Sequence, residues 1–229
     1  MSPWWPLDRS ADILFKDREE AGAKLADRLL DHRGKHVVVL GIPRGGVPVA
    51  AEIARRLDGE LDVVVARKLG APFSPELAIG AVTADGGRFL NDDVIRELGI
   101  DQGYIQRVTE QELKEAGARE QRFRGSRPAV QLAGRVAILV DDGLATGATM
   151  RAAVRALRAR HPARLVVAVP VGAREACAAL RREADEVVCL AEPEPFGAVG
   201  VYYQRFDAVP DQVVTQILSR GVTEAAGKQ

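Results

Sequence analysis

An open, twisted and mainly parallel α/β sheet with helices on both faces is the fold class that the 229-residue sequence predicts. Short, nearly continuous apolar runs recur at 37–40 (VVVL), 136–140 (VAILV) and 165–169 (LVVAV), the pattern of strands buried on both faces. Each run is followed by apolar residues at i, i+3, i+4 and i+7, the single stripe of a helix that packs by one side. The stripes are Ala50, Ile53, Ala54, Leu57; Met150, Ala153, Val154, Leu157; and Ala173, Ala176, Cys177, Leu180. Strand then helix, repeated, calls for right-handed crossovers and parallel strands. The composition agrees, because 47% hydrophobic and 28% charged residues are the ordinary balance of a globular chain. That length suits one large domain, or a core with an appended piece.

Taken in order, a helix at about 17–31 precedes the first strand at 37–40 and its helix. LDVVVA (61–66) and AIGAV (78–82) read as further strands of the open sheet, and the stretch between them, LGAPFSPELA (69–78), with two prolines and a glycine, reads as a mobile loop. Residues 91–128 break the rhythm: they are charge-rich, hold helices at about 91–97 and 102–119, and offer only a sparse stripe of Ile105, Val108, Leu113 and Ala116. The strand and helix pairs then resume, with EVVCL (186–190) as a last strand. The tail from Pro193 carries EPEPFGAVGVYYQRF, a helix at about 209–219, and an ending, GVTEAAGKQ, expected to fray. The expected organisation is therefore an α/β core of 1–90 and 129–192 with a cap of 91–128 and 193–229.

Several functions are excluded early. Lys plus Arg (32) equals Asp plus Glu (32), so the net charge is zero and a nucleic-acid backbone has no global electrostatic reason to bind. The one basic cluster, Arg119, Arg122, Arg124 and Arg127, is interrupted by Glu120. Cys177 and Cys189 sit in apolar segments without the spacing of a zinc site or disulfide framework, and His32, His36 and His161 have no second ligand three or four residues away, which favours solvated or capping roles. MSPWWPLDRS has no apolar run of signal-peptide length and no stretch reaches membrane-span length, so a cytoplasmic protein without a membrane partner is expected.

In open α/β sheets ligands bind beyond the carboxyl ends of the strands. After VVVL comes GIPRGGVPVA (41–50), where glycines permit a sharp turn and Arg44 presents a bidentate cation, either a phosphate contact or a tight turn with a surface arginine. It matches neither a Walker A loop nor G-x-G-x-x-G. Arg67 and Lys68 end the next run, as an anion grip or as a solvated strand end. The strongest signal is VAILVDDGLATGATM (136–150), in which a buried strand runs into Asp141 and Asp142 and then a small-residue turn opens a helix at Thr146-Gly147-Ala148-Thr149. Adjacent carboxylates repel, so that arrangement is costly unless a polyol, a metal or cations await them. Backbone N–H groups, threonine hydroxyls and the helix dipole in the turn suit a phosphate.

VAILVDDGLATGAT resembles the phosphoribosyl pyrophosphate (PRPP) signature of the type I phosphoribosyltransferases: apolar residues, two acids, three variable residues, then Thr-Gly-x-Thr. GIPRGGVP is similar to that family's pyrophosphate loop and Arg67-Lys68 resembles its basic pair, so three motifs agree in order along about 35–190. The resemblance implies a stand-alone member with a cap, or hood, that transfers 5-phosphoribosyl from PRPP to a nitrogen nucleophile, with Mg2+ as cofactor, a small-molecule acceptor and a homodimeric state. It implies that Asp141 and Asp142 bind the ribose hydroxyls directly or through Mg2+. The 5-phosphate would fall to Gly143, Leu144, Ala145, Thr146, Gly147, Ala148 and Thr149. Pyrophosphate would fall to Arg44, Gly45, Gly46, Arg67 and Lys68, with Arg44 and Lys68 also serving catalysis, and a loop from Leu69 would close over the site. Oxopurine-using members carry an acid just before the Thr-Gly, where this chain has Ala145, so no general base is assigned. An acceptor ring would stack on Phe196, Tyr202, Tyr203 or Phe206 from the cap, the alternative being that these aromatics pack the tail on the core. The competing expectation is a non-catalytic PRPP or nucleotide sensor on the same fold. A dinucleotide-dependent oxidoreductase lacks both the glycine fingerprint and the strand-end acid.

Overall fold

The computed structural model describes residues 13–226, in which most of the apolar runs become strands and the stripes become helices that cover them. In chain order the strands are β1 (Val37–Gly41), β2 (Glu60–Val63), β3 (Ala66–Ala71), β4 (Ser74–Thr83), β5 (Arg88–Leu90), β6 (Val136–Val140), β7 (Arg164–Val171) and β8 (Glu186–Ala191). The helices are α1 (Arg18–Arg28), α2 (Gly46–Leu57), α3 (Asp92–Glu97), α4 (Gln102–Arg124), α5 (Ala148–Arg158), α6 (Arg174–Leu180) and α7 (Asp211–Ala226). MSPWWPLDRS and the last three residues of GVTEAAGKQ lie outside the described residues.

Five strands form one parallel sheet in the order β2-β1-β6-β7-β8. Every residue of β1 and β6 is buried, which their unbroken hydrophobicity requires. One face packs Leu25 of α1, Leu29 just after it, and Val49 and Ile53 of α2 against Val39 and Ile138. The other packs Met150, Val154, Cys177 and Leu180 of α5 and α6 against Val38, Leu139 and Val167. Full burial of each such large aliphatic side chain contributes about 1.5–3 kcal/mol. The register pairs Gly41 with Val140, so β1 and β6 end side by side and their following loops emerge together.

Three expectations about the strands change. AIGAV is not part of the open sheet; it belongs to β4 in a separate antiparallel sheet, β3-β4-β5. This strand is also covered on both sides, by α3 and α4 through Ile79, Val82, Ile95 and Ile105 and by α5 through Ala81, Phe89, Ala148 and Ala152, so it has the continuous apolar run of a parallel strand. LDVVVA is not one strand, because β2 stops at Val63 and Ala66 opens β3. LGAPFSPELA is a hairpin rather than an irregular loop: β3 and β4 turn at Pro72 and Phe73, and register shifts between Leu69 and Ala71 absorb the irregularity that proline and glycine signalled.

The helix expected at 102–119 runs on to Arg124. Its start is capped by Asp101, whose side chain accepts the Tyr104 N–H at 2.9 Å. Its far end is tied to β2 by a buried ion pair, with Asp62 Oδ1 and Oδ2 each 3.1 Å from Arg124. Ala116 and Phe123 then pack with Val63 and with Val214 and Leu218 of α7. His32 is neither solvated nor a cap; it is buried and its Nε2 lies 3.1 Å from Glu186. Among the described residues no helix is long and apolar enough to cross a membrane.

Candidate active site

The candidate site lies where β1 and β6 end. Asp141 and Asp142 follow β6, and the glycine turn after β1 packs directly on them. A Cβ on Gly45 would sit 1.8 Å from Asp142 Oδ2, and one on Gly46 would sit 2.6 Å from the Val140 carbonyl and 2.8 Å from Asp141 Cα. Only glycine permits that approach, so the two motifs form one surface.

Electrostatics set the pair apart. Burial, then the neighbouring Asp142, holds the Asp141 carboxyl well above the ordinary range for aspartate. Its Oδ1 accepts the Asp142 N–H at 2.9 Å. Burial also raises Asp142, opposed by Arg18, whose Nε donates to Asp142 Oδ2 at 2.8 Å. The side chains of that ion pair are only 11% and 15% exposed. The Arg18 guanidinium lies 3.9 Å from the centre of the Phe206 ring and donates to the Asp207 carbonyl at 2.9 Å. Arg18 is the site residue that sequence reasoning missed. A weak signal was present, since a cation in the first turn of a helix opposes the macrodipole and calls for a nearby acid.

The turn after the acids is strapped to β7: the Leu144 N–H donates to Val171 at 2.9 Å and the Leu144 carbonyl accepts from Ala173 at 2.8 Å. The Leu144 side chain is buried, whereas Ala145 and Thr146 are exposed and Gly143 and Thr149 half-buried. Gly147 takes φ +77° and starts α5 at Ala148, and no side chain caps that helix. Its first N–H groups are therefore open to an anion beside the carboxylates.

The remaining expected residues divide. Arg67 and Lys68 are half-buried on β3, and Arg67 Nε donates to Glu112 Oε2 at 2.7 Å. Arg44 extends from the glycine turn towards α7, with Nη1 3.7 Å from Asp211 Oδ1. Tyr202 and Tyr203 are buried, at 4% and 5% exposure, rather than presented to an acceptor. The Tyr203 hydroxyl donates to the Asp142 carbonyl at 2.7 Å, its ring packs against Phe15 and Phe206, and burial raises its pKa, so it stays a donor. The Tyr202 hydroxyl accepts the Gly197 N–H at 3.1 Å, and Phe196 is half-buried against its ring. Elsewhere, sequence spacing gave no sign that thiols of Cys177 and Cys189 and a Glu192 oxygen lie within 4.8 Å of one another. Each has protein partners: the Cys177 and Cys189 thiols share a hydrogen bond, Cys189 donates to the Ala191 carbonyl, and Glu192 pairs with Arg181.

The family model described as the phosphoribosyl transferase domain matches residues 10–205. Two Mycobacterium tuberculosis proteins, from strains CDC 1551 and H37Rv, are 50% identical over 207 residues, 90% of this chain, and their names assign them provisionally as phosphoribosyl transferases. The chain spans 47% of the length of those relatives. The crystal structure of TT1426 from Thermus thermophilus is 47% identical and superposes with a TM-score of 0.78 over 91% of this chain and 99% of its own. A hypothetical protein from Neisseria gonorrhoeae, solved with bound ppGpp, shares the fold at 15% identity and a TM-score of 0.51, covering 91% of this chain and 96% of that one. The chain belongs to the phosphoribosyl transferase domain family.

Proposed function

We propose that this domain transfers 5-phosphoribosyl from PRPP to a nitrogen nucleophile, in keeping with a nucleobase or similar heterocycle, and releases pyrophosphate. The observation that carries the reading is the half-buried Asp141–Asp142 pair beside the uncapped start of α5. A ribose 5-phosphate fits that pairing of chemistries, with hydroxyls donating to the carboxylates and the phosphate accepting from the N–H groups of the 143–149 turn. The acceptor nitrogen bonds to C1 as the C1–O bond breaks, that bond's electron pair leaves with pyrophosphate, and the proton of the acceptor nitrogen passes to solvent. Positive charge developing on the sugar is then stabilised by the two carboxylates, which Arg18, Tyr203 and the glycine turn hold in place. Arg44, Arg67 and Lys68 would neutralise the leaving group.

The donor set fits Mg2+, since adjacent carboxylates whose ionisation is opposed by burial offer hard oxygens and gain from a divalent cation. Two carboxylates supply part of a coordination shell, which substrate oxygens and water would complete. Bound there, the ion would add charge neutralisation at the diphosphate. In this reading residues 91–128 and 193–229 form the hood, supported by the packing of α7 on α4. Of the four aromatics, Phe196 and Phe206 are half-buried, and Phe206 already packs against Arg18, which leaves Phe196 for an acceptor ring. A second reading, a non-catalytic binder, is favoured by Ala145, which places no proton acceptor before Thr146.

Pyrophosphate release from PRPP and Mg2+ across a panel of nucleobases tests the proposal. Release with one base is expected, and Asp142→Asn should lower it about 100-fold or more while the protein folds normally. A fully active Asp141→Asn, Asp142→Asn double variant would remove the site assignment. PRPP binding without turnover with any base would select the second reading.

A further inference from the structure

Glu115, Ala118, Arg119 and Arg122 fall at i, i+3, i+4 and i+7 and so share one face of α4. That face lines a cleft of about 330 Å³, completed by Arg44 from the glycine turn, Arg67 from β3 and Asp211 at the start of α7. The small Ala118 leaves the room. Three guanidiniums gather around Asp211, at 3.7 Å from Arg44, 3.5 Å from Arg119 and 3.6 Å from Arg122. These separations exceed the roughly 2.7–2.9 Å of a close charge-assisted hydrogen bond. One acid therefore sits loosely among three cations. Counting the carboxylates of Glu112 on Arg67, Glu115 and Asp211 against the four arginines still leaves the cleft cationic.

The other members of the basic run do not share this role. Arg124 is committed to Asp62 and Glu120, and Arg127 donates to the Arg124 and Leu218 carbonyls. The cluster thus splits into two arginines that hold the fold and two that face an open cleft.

We propose that the cleft lined by Arg44, Arg67, Arg119 and Arg122 binds a chain of linked phosphates, and that Asp211 holds the arginines gathered until the ligand takes its place. The site rests on the phosphoribosyl transferase reading where it shares Arg44 and Arg67 with the pyrophosphate subsite. Arg119 and Arg122 extend it beyond that subsite and do not depend on the carboxylate pair. Forked guanidiniums from three separate elements suit the several oxygens of a polyphosphate, which can bridge them, better than a single phosphate. Two sources have this chemistry: the diphosphate end of PRPP, or a separate polyphosphate.

The test is calorimetric titration of the full chain with inorganic pyrophosphate and triphosphate in the presence of chelator, with ribose 5-phosphate as a control. Arg119→Ala and Arg122→Ala should each weaken both polyphosphates about tenfold and leave ribose 5-phosphate unchanged. Asp211→Asn should tighten them several-fold. The Asp141→Asn, Asp142→Asn variant should bind pyrophosphate as the wild type does, so loss of the transferase reading would leave this result standing. Arg122 is 68% exposed, so its replacement can be expected to fold even if Arg119→Ala does not. Competition between PRPP and triphosphate assigns the cleft to PRPP's own diphosphate, and simultaneous binding assigns it to a separate ligand. No polyphosphate binding at millimolar concentration, unchanged affinity in Arg122→Ala, or weaker binding in Asp211→Asn would overturn the proposal.

Discussion

Asp141 concentrates the electrostatic cost of the site in one side chain. It is half-buried, it adjoins a second carboxylate, and Arg18 bonds to Asp142 instead. Its pKa is raised in the folded state, so the folded protein holds the proton more tightly than the unfolded chain does. The associated stability is fully present below the unfolded value of about 3.8 and is lost as pH rises through the folded value. Asp141→Asn removes the ionisation while keeping an oxygen to accept the Asp142 N–H. The variant should therefore melt higher than the wild type at neutral pH, with the difference closing as pH falls towards 4. Melting curves across that range check the sign, and a variant less stable at pH 7 than at low pH relative to wild type would contradict it. A substitution that stabilises the protein while removing the proposed activity is the expected trade at a functional pair.

At the scale of elements, α4 joins the second sheet to the first. Its first half packs Ile105 on the β3-β4-β5 sheet, and its last turn reaches β2 and α7 through Phe123. The Asp62–Arg124 pair fixes that end, with side chains only 3% and 11% exposed, and Asp62 also accepts the Val130 N–H at 3.1 Å and the Val63 N–H at 2.9 Å. Asp62→Ala leaves Arg124 with Glu120 alone and strands the Val63 and Val130 N–H groups, so it should cost roughly 3 to 5 kcal/mol. Denaturant unfolding measures this. An Asp62→Leu, Arg124→Met double variant should recover only part of the loss, because the apolar pair leaves Glu120 without its cation and the Val130 N–H without its acceptor. The length of α4 was underestimated from sequence for the same reason: its last turn, with Arg122 and Arg124, has little apolar stripe and is held by partners distant in the chain.

For the whole molecule, the candidate site exists only in the folded chain, since it gathers the ends of β1 and β6, the start of α1 and the tail around Tyr203. A ligand at a hundredfold its dissociation constant stabilises such a state by about 2.7 kcal/mol. At roughly 2 to 4 °C per kcal/mol for a domain of this size, saturating PRPP with Mg2+ should raise the melting temperature by about 5 to 10 °C. Calorimetry reads the shift, which should shrink when Mg2+ is chelated and vanish in the Asp141→Asn, Asp142→Asn variant. NAD should produce little change. What the sequence by itself determined was the local part: the buried parallel strands, their amphipathic helices, and the acids and glycines at the strand ends, all written in contiguous residues by periodicity and by conformational need. Only the tertiary structure decided which sheet AIGAV joins, because burial on both faces leaves the same apolar run in either sheet. It alone placed Arg18 on Asp142 and gathered Arg44, Arg119 and Arg122 around Asp211, since a side chain's partner across 124 residues leaves no periodic trace. Of the two roles open to Tyr203, ring platform or packing of the tail, it placed the ring against Phe15 and Phe206 with the hydroxyl on the Asp142 carbonyl, because aromatic packing depends on which surfaces the fold brings together.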